Sequence, residues 1–496
     1  MAQTVEEMIR EKKPFILKIL INGEWKESKS EESHPSYNPS TGEVIAHVPY
    51  VSREEVHEAL GAAQAAFPKW SNLPITERVK YLFRLKEAFD RHHEELAQIN
   101  SINHGKTIVE SRGDVRRALD NVESAIAVAH TLSKGETLDQ IATDVDESVV
   151  KEPLGPFGII CPFNFPLMIP FWFIPYALVL GDTLVVKPSE ITPVPMDVAS
   201  EIIQKEVKFP PGVLNIIHGG RETSEALISH EVTQGVAFVG STPVAKQVYK
   251  LAGEHGKRAL VNGGAKNPIV VMSDADLNST IPAVVASFFG NAGQRCLAGA
   301  NLVTVGDIHD KVLPKFMTAS SELKIGSAMS EKTDMGPVVS RNAKERISTN
   351  IVQGIEDGAK PVMDGRSVRL AEFPDGYYLG PTIFDNVTED MRLSRNEIFG
   401  PVASAITQDN LDDAIEFINS NTKFGNMASI FTTNGRTARE FRRRVNAGNI
   451  GINIGVAAPA GNFPFGGRRE SFYGILHAQI DTVEFFTDKK IIISRW

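Results

Sequence analysis

Cysteine is scarce in this sequence: Cys161 and Cys296 are the only two in 496 residues. Two cysteines so far apart exclude a disulfide framework and are typical of a reducing compartment, so a cytoplasmic location is predicted. An excess of positive charge is also missing, since the formal net charge is -9. This balance argues against the basic surface of a nucleic-acid-binding protein, and no nucleic-acid partner is expected.

No long uninterrupted hydrophobic run is present. The most apolar stretch, 157–180, contains Asn164 and is broken by prolines at positions 162, 166, 170 and 175. Proline breaks helices, so the stretch predicts a buried strand, loop and helix rather than a membrane span. The N-terminal segment 1–13 is charged and has no apolar core, so neither a secretory signal nor a membrane partner is predicted.

Two glycine-rich phosphate-binding fingerprints are missing as well. The sequence has no P-loop, and no G-x-G-x-x-G follows the first strand of the predicted α/β region. Internal repeats and low-complexity segments are absent, and no metal site is predicted. An anionic ligand would therefore be held by helix N-termini and by single lysine or arginine side chains.

The length and the hydrophobic pattern predict an α/β protein of more than one domain. Asn22-Gly23 indicates a hairpin, and 53–132 has a helical pattern. From Gly158 onwards short apolar runs alternate with helical segments, an order typical of a parallel sheet with right-handed crossovers. The predicted strands are 158–161, 183–186, 213–217, 236–239 and 258–261, with helices at 194–206 and 243–252 and a second α/β stretch at 267–453.

Two motifs follow predicted strands at the edge where open parallel sheets bind ligands. Lys187-Pro-Ser-Glu190 offers an ammonium and a carboxylate that suit the hydroxyls of a ribose, with a solvated ion pair as the alternative. Gly240-Ser241-Thr-Pro243 begins a helix whose free N–H groups and positive dipole end suit a phosphate. An ordinary capped helix is the alternative there.

The segment 290–298, Gly-Asn-Ala-Gly-Gln-Arg-Cys-Leu-Ala, is the most informative of the sequence. The small residues around Cys296 leave room for a substrate, and the adjacent Arg295 favours the thiolate that attacks a carbonyl carbon. A free cysteine packed in a core is the alternative. Asn164, held between aromatic residues and prolines, suits a hydrogen-bond donor to an oxyanion, with a structural turn amide as the alternative.

Six motifs in one order make the sequence resemble the aldehyde dehydrogenase superfamily. They are Pro162-Phe-Asn-Phe-Pro166, Lys187-Pro-Ser-Glu190, Phe238-Val-Gly-Ser-Thr242, Gly264-Ala-Lys-Asn267, Gly293-Gln-Arg-Cys296 and Glu397-Ile-Phe-Gly-Pro-Val402. The sequence most resembles the CoA-acylating branch, that of the methylmalonate-semialdehyde dehydrogenases. The resemblance implies a Rossmann-type parallel-sheet NAD domain (1–130 and 150–262), a second α/β catalytic domain (263–465) and a small β oligomerisation arm (131–149 and 478–496).

The resemblance also implies roles for single residues. Cys296 is the expected nucleophile, and Asn164 with the Cys296 N–H is the expected oxyanion hole. Arg117 and Arg295 are the expected ligands of a substrate carboxylate, although the sequence alone favours a surface charge for Arg117. Glu190 is expected to repel the 2′-phosphate of NADP. The expected NAD-binding residues are Phe163, Lys187, Glu190, Gly240, Ser241, Gly263, Glu397 and Phe399.

Position 262 departs from the pattern of the superfamily. Hydrolytic relatives carry a water-activating glutamate six residues before the proline of Glu-Leu-Gly-Gly-Lys-Asn-Pro, where this sequence has Asn262 ahead of Pro268. An amide cannot act as a general base, which costs hydrolysis about 10²–10⁴-fold. A thiol is already partly ionised at neutral pH. Coenzyme A is therefore the predicted acyl acceptor, and methylmalonate or malonate semialdehyde the predicted substrate, yielding propionyl-CoA or acetyl-CoA.

Two other classes of function stay open. A non-acylating NAD(P)-dependent aldehyde or semialdehyde dehydrogenase that releases a free acid differs in its independence of CoA. A non-catalytic protein of the same fold is the third hypothesis, and the retained site residues argue against it. Pro268, where the branch has histidine, and the tail 455–477 leave room for a different semialdehyde.

Two further interpretations concern packing and assembly. Cys161, at the end of an apolar strand, is interpreted as a packing residue. The apolar segments 148–151 and 491–496 predict strands outside the main alternation, and an exposed apolar edge favours pairing with another chain. A homodimer or homotetramer is therefore expected.

Overall fold

The structure is a computed structural model that describes residues 14–496. The charged N-terminal segment, on which the expectation of no secretory signal rests, lies outside these residues. In the described part of the chain no helix is long and apolar enough to cross a membrane. The apolar stretch 157–180 forms a buried strand, a short 3₁₀ turn and a helix from Ile174 to Leu180, which confirms its interpretation as a broken, buried passage.

The elements within 14–496 alternate between strands and helices for most of the chain. The strands are β1 (Phe15–Ile16), β2 (Ile19–Ile21), β3 (Glu24–Lys26), β4 (Ser33–Tyr37), β5 (Val44–Pro49), β6 (Glu136–Ala142), β7 (Val145–Pro153), β8 (Pro156–Ile160), β9 (Thr183–Lys187), β10 (Leu214–Ile216), β11 (Gly235–Val239), β12 (Arg258–Asn262), β13 (Asn267–Val271), β14 (Gly299–Val305), β15 (Lys360–Met363), β16 (Thr382–Asp385), β17 (Val402–Gln408), β18 (Phe424–Gly425), β19 (Met427–Phe431), β20 (Asn449–Ile452), β21 (Arg468–Arg469), β22 (Phe472–Tyr473) and β23 (Thr487–Arg495). The α-helices are α1 (Arg53–Ser71), α2 (Ile75–Arg91), α3 (His93–His104), α4 (Ile108–Ala129), α5 (Ile174–Leu180), α6 (Val194–Ile202), α7 (Arg221–Ser229), α8 (Thr242–Glu254), α9 (Leu277–Phe289), α10 (His309–Ser321), α11 (Arg341–Glu356), α12 (Arg392–Arg395), α13 (Leu411–Ser420), α14 (Gly435–Arg444) and α15 (Thr482–Phe486).

The larger sheet has eight strands in the order β22-β12-β11-β8-β9-β10-β2-β3. Its five central strands are parallel, and β8, β9 and β11 are buried at every residue. Full burial is expected of parallel strands that helices cover on both faces. The predicted hairpin, helical region and five strands are confirmed. The predicted helix 194–206 is α6 followed by one π turn, Ile203–Val207.

The strand order of the larger sheet reverses at β8. Strands β9 and β10 lie on one side of it, and β11 and β12 lie on the other. In open α/β sheets a ligand binds in the crevice outside the carboxyl ends of the strands at such a reversal. The topology therefore brings together the residues that follow β8, β9, β11 and β12, although they are far apart in sequence.

Four further sheets lie within 14–496, two of which are the small sheets β1-β5-β4 and β18-β21. The second α/β stretch forms a seven-stranded sheet in the order β15-β16-β17-β14-β13-β19-β20, parallel except at β15. The antiparallel sheet β23-β7-β6 includes the strands predicted at 148–151 and 491–496. Its apolar side chains include Ile491 and Ile493, each 67% exposed in the single chain.

Candidate active site

A cavity of about 750 Å³ lies at the carboxyl ends of β8, β9, β11 and β12, where the strand order reverses. Its volume is typical of a cofactor site. Ten of the twelve predicted site residues line it, namely Phe163, Asn164, Lys187, Glu190, Gly240, Ser241, Gly263, Cys296, Glu397 and Phe399. The predicted packing residue Cys161 lines it too.

The two predicted carboxylate ligands lie outside this cavity. Arg117 is on α4, with its side chain 42% exposed and Nη1 3.7 Å from Asp120 Oδ2. Arg295 Nη2 donates to Glu110 Oε1 at 2.6 Å, and both residues line a second cavity of about 430 Å³. A substrate carboxylate would therefore have to compete with Glu110 for the Arg295 guanidinium, and the predicted roles of both arginines stay predictions.

The segment before Cys296 is held in an unusual backbone conformation. Helix α9 ends at Phe289, and Asn291 and Ala292 then adopt left-handed conformations with φ of 54° and 49°. Such conformations cost free energy for residues with a side chain and are concentrated at functional sites. Glu110 holds the segment, because its Oε1 accepts the Asn291 N–H at 2.6 Å while the other end of the same carboxylate caps α4.

The peptide carbonyl of Cys296 is fixed from two sides. Asn267 Nδ2 donates to this oxygen at 2.9 Å, and Asn426 Nδ2 donates to it at 2.8 Å. Asn267 also donates to the carbonyl of Ala298 at 2.8 Å. The motif Gly264-Ala-Lys-Asn267 thus positions the cysteine, a role that sequence reasoning did not assign to Asn267; the signal was a buried amide at the start of an otherwise apolar strand.

Asn164 is held through both its main chain and its side chain. Its Nδ2 donates to the Gln294 carbonyl at 3.2 Å, which leaves its second amide hydrogen for another acceptor. The fully buried Lys106 Nζ donates to the Asn164 carbonyl at 2.8 Å and to Asp114 Oδ2 at 2.8 Å. Sequence reasoning missed Lys106 and Asp114, since no local pattern joins residues that far apart.

Burial dominates the electrostatics of Cys296. Loss of hydration raises the pKa of its thiol to about 12, and the nearby Glu397 acts in the same direction. Arg295 lowers this pKa, as the sequence predicted, but its effect is smaller than that of burial. The predicted direction of the Arg295 effect is therefore confirmed, but burial outweighs it and the pKa of the thiol stays well above neutral.

Glu397 and Lys266 form a second electrostatic feature beside the thiol. Burial raises the pKa of the Glu397 carboxyl to about 7, although Ala265 N–H donates to its Oε1 at 2.8 Å and Arg346 and Lys266 lie near. Burial also lowers the pKa of Lys266 to about 7. The Lys266 Nζ is buried and has no hydrogen-bond partner among the described residues. Both groups therefore change charge near neutral pH.

The other end of the cavity carries the lysine–glutamate motif. Lys187 is buried at the end of β9, and its Nζ donates to the Gly219 carbonyl at 2.7 Å and to Glu190 Oε2 at 3.3 Å. The Lys187 ammonium of this ion pair is thus fixed by hydrogen bonds inside the protein and is not a solvated surface charge. Helix α8 follows β11, which lies on the other side of β8 from the strand that carries Lys187. Ser241, the residue before this helix, makes no side-chain cap hydrogen bond, so the N–H groups of the first turn stay available.

Two aromatic rings complete the lining of the cavity, and the amide of Asn262 lies directly before its lining residue Gly263. Phe163 and Phe399 meet edge to face with ring centroids 5.7 Å apart, and Phe399 has a φ of 53°. At the end of β12, Asn262 is 3% exposed, and both polar atoms of its side chain lack a hydrogen-bond partner within 14–496. Among those residues no group of three His, Cys, Asp or Glu side chains could hold a metal ion.

The comparison with known families agrees with this geometry. The model of the aldehyde dehydrogenase family matches residues 25–492. The chain belongs to the aldehyde dehydrogenase family. It is 44% identical to malonate-semialdehyde dehydrogenase 2 of Geobacillus kaustophilus and 42% identical to malonate-semialdehyde dehydrogenase of Halalkalibacterium halodurans. These alignments cover 97% of this chain and 99% and 98% of the two relatives.

Solved structures of aldehyde dehydrogenases have the same fold. A methylmalonate-semialdehyde dehydrogenase structure from Sinorhizobium meliloti, complexed with NAD, matches with a TM-score of 0.96 and 36% identity over 98% of both chains. The methylmalonate-semialdehyde dehydrogenase of Oceanimonas doudoroffii matches with a TM-score of 0.95 and 36% identity, over 97% of this chain and 98% of that one. The predicted aldehyde dehydrogenase fold is therefore confirmed.

Proposed function

We propose that the chain is an NAD-dependent, CoA-acylating semialdehyde dehydrogenase that acts on malonate or methylmalonate semialdehyde. The observation that carries the proposal is one cavity lined by Cys296 and Asn164 together with the Lys187–Glu190 pair. A nucleophile, an oxyanion donor and a ribose site within one cavity suit a dehydrogenase that forms a thioester. The names of the relatives support the choice of semialdehyde.

The residues of the cavity suit NAD. Lys187 and Glu190 would hold the adenine ribose, and the carboxylate of Glu190 would repel the 2′-phosphate of NADP. The uncapped start of α8 at Gly240 and Ser241, together with Gly263 directly after β12, would take the pyrophosphate. Glu397, Phe163 and Phe399 would contact the nicotinamide ribose and ring. NAD, when bound, accepts the hydride of the aldehyde.

The chemistry on the protein side rests on Cys296. After the thiol has lost its proton to solvent, its sulfur attacks the aldehyde carbon, and the oxyanion that forms accepts hydrogen bonds from the free amide hydrogen of Asn164 and from the Cys296 N–H. The amides of Asn267 and Asn426 hold the Cys296 peptide during this step. Fixed donors need no rearrangement when the charge develops, so the oxyanion is stabilised and a thioacyl-enzyme remains on Cys296 after loss of the hydride.

The amide of Asn262 favours transfer of the acyl group to CoA over its release to water. An amide there cannot take a proton from water, and the Asn262 side chain has no partner among the described residues that would give it another purpose. A thiol needs less activation than water because a fraction of it is ionised at neutral pH. CoA is therefore the proposed acyl acceptor.

A second candidate function is a dehydrogenase that releases the free acid. One observation favours it: Glu397 lines the cavity with Cys296 and has a pKa raised by burial to about 7, so another carboxyl group is available to activate water. Only the dependence on CoA separates the two candidates.

The test is NADH formation from malonate semialdehyde and NAD, with and without CoA, normalised to enzyme. Multiple turnovers that require CoA and yield an acyl-CoA support the proposal, and equal turnover without CoA with accumulation of free acid supports the second candidate. The matched variant Asn262→Glu restores a base at the position of the missing one. It is expected to gain turnover without CoA, whereas an unchanged CoA requirement would contradict the account of position 262.

The domain division and the assembly are also proposed from the sequence. The division is an NAD domain (1–130 and 150–262), a catalytic domain (263–465) and an oligomerisation arm (131–149 and 478–496). The exposed isoleucines of β23 support pairing of this arm with a second copy, because a monomer would leave an apolar edge strand in water. The molar mass in solution tests for the proposed homodimer or homotetramer.

A further inference from the structure

We propose that Glu397 is the base of the acyl-transfer step, taking the thiol proton of CoA and delivering it to Cys296; this inference rests on the proposed function. Cys296 and Glu397 line one cavity and interact electrostatically, so an acceptor that reaches the thioester also lies beside this carboxylate. The position from which a base would otherwise act carries Asn262, which is unable to take a proton.

The surroundings of Glu397 suit proton transfer better than permanent charge. Its Oε1 accepts one backbone N–H, that of Ala265, and its carboxylate has no direct ion pair among the described residues. The charged or titratable groups that face it are Lys266, which directly precedes β13, Arg346 of α11 and the Cys296 thiol. Arg346 is engaged by the carbonyl groups of Ile398 and Phe399. Because burial raises its pKa to about 7, Glu397 exchanges a proton readily at neutral pH.

Arg346 and, to a smaller extent, Lys266 lower the pKa of this carboxyl, and Lys266 is the one of the two without a hydrogen-bond partner among the described residues. It is 2% exposed, its Nζ has no partner within the described chain, and Glu397 is the acid that favours its charged form. A cation at this place lowers the pKa of Glu397 and so keeps a fraction of the carboxyl groups ionised at about pH 7. We therefore assign Lys266 as a positioning residue that acts through Glu397.

The step balances without any further reactant. The CoA sulfur forms a bond to the acyl carbon as its proton passes to a Glu397 oxygen. The bond between the acyl carbon and Cys296 Sγ then breaks, and the proton passes from Glu397 to that sulfur. The bonding electron pair leaves with Cys296 Sγ, which takes the proton, so Glu397 ends ionised as it began, Cys296 ends as the free thiol, and no oxidant or reductant is needed. If Glu397 is occupied by the cofactor ribose during oxidation, departure of the reduced cofactor frees it for this step.

The experiment isolates acyl transfer from oxidation. Cys296 is acylated with p-nitrophenyl propionate in the absence of cofactor, and transfer of the propionyl group to CoA is followed by rapid quench from about pH 5.5 to about pH 9.5. In the wild type we expect a rate that rises with pH through a midpoint near 7 and then levels, since ionised Glu397 is the active form. Glu397→Gln keeps the shape and the Ala265 contact but takes no proton. At neutral pH its transfer rate should fall about 10- to 100-fold, and its midpoint should move to that of the free thiol, above about pH 8.

An acceptor that needs no base provides the matched control. With hydroxylamine, whose nitrogen is largely unprotonated at neutral pH and whose acyl product is more stable than a thioester, wild type and Glu397→Gln should transfer the acyl group at similar rates. Lys266→Met should move the wild-type midpoint upward, because a cation that lowers the pKa of Glu397 is lost. An infrared difference spectrum between wild type and Glu397→Gln should contain a protonated-carboxyl band that disappears as the pH rises through 7.

The possible failures are distinguishable. If the wild-type acyl-enzyme does not react with CoA at all, the proposed function itself is overturned. If it reacts and Glu397→Gln has the same rate and pH midpoint, CoA transfer stands and Glu397 is not its base. If Glu397→Gln is equally slow with both acceptors, the residue orients the acyl-enzyme rather than moving a proton, which also overturns the inference.

Discussion

The two cysteines of this chain line the same cavity, and burial raises the pKa of both thiols to about 12. Their surroundings differ in every other respect. Cys161 directly follows the buried strand β8 and has Lys187 as its charged neighbour. Cys296 follows a left-handed backbone segment, its carbonyl is held by two amides, and Asn164 and Glu397 line the cavity with it. Thiol acidity alone therefore does not distinguish the proposed nucleophile; the fixed groups around it do.

The largest expected effect comes from removing each sulfur in turn. Cys296→Ala should lower kcat by at least about 10⁴-fold, because no other group at this place forms the thioester. Cys161→Ala should change kcat little and cost about 1 kcal/mol of stability, as a small core truncation does. Steady-state NADH formation and thermal unfolding of both variants measure this. Loss of activity in both would mean that Cys161 also contributes to the reaction.

A second prediction removes Lys106, which holds Asn164 in the cavity that Cys296 also lines. Lys106→Met deletes the donor to the Asn164 carbonyl and leaves Asp114 charged and buried, which should lower the free energy of unfolding by about 3–5 kcal/mol. Displacement of Asn164 should also lower kcat by up to about 10²-fold.

The double variant Lys106→Met/Asp114→Asn separates these two effects. It removes the unpaired charge, and the single side-chain oxygen then left at position 114 can still accept from either the Met168 N–H or the Asn100 amide. Stability in urea should then recover in large part, while kcat should stay low because the contact with Asn164 is still missing. Full recovery of kcat together with stability would show that Lys106 serves the fold alone.

The smallest expected effect concerns the rates of thiol labelling. Cys296 should react with iodoacetamide faster than Cys161, which is only 7% exposed. Because the pKa of each thiol lies above the measured range, the rate at each should rise about tenfold per pH unit between about pH 7 and about pH 9. Peptide mass spectrometry at timed intervals measures both. A plateau at Cys296 near neutral pH would mean that its thiolate is stabilised, and labelling at Cys161 alone would favour the non-catalytic hypothesis.

Much of the fold was predictable because it depends on local periodicity. Strands β8, β9 and β11 are short apolar runs with turn signals at both ends. Such runs can be recognised as strands from their own residues, without information on the strands that pair with them. The helix after β11 was predictable from Ser241 and from the proline in its first turn. The short strand β22, which pairs with β12 in the larger sheet, was not predicted, since two residues carry no periodic signal.

The two arginine predictions mark the limit of motif reasoning. Arg295 was predicted as a substrate ligand because it precedes the cysteine, yet its guanidinium is paired with Glu110, 185 residues earlier in the chain. Arg117 is half-exposed on α4, as the sequence alone favoured. A motif identifies a residue type at a position, whereas the direction and partner of a long side chain depend on what packs beside it.

The sequence by itself determined the chemical groups and their order: the cysteine after Gly-Gln-Arg, the strand-end lysine and glutamate, and the amide of Asn262 where relatives have a base. These follow from covalent order and from residue chemistry alone. Only the tertiary structure decided that the strand order reverses at β8, that Asn267 and Lys106 hold the site from a distance, and that Glu397 and Lys266 titrate near 7. The reason is that desolvation and charge–charge interactions depend on distances in space, which residues far apart in sequence acquire only when the sheets assemble.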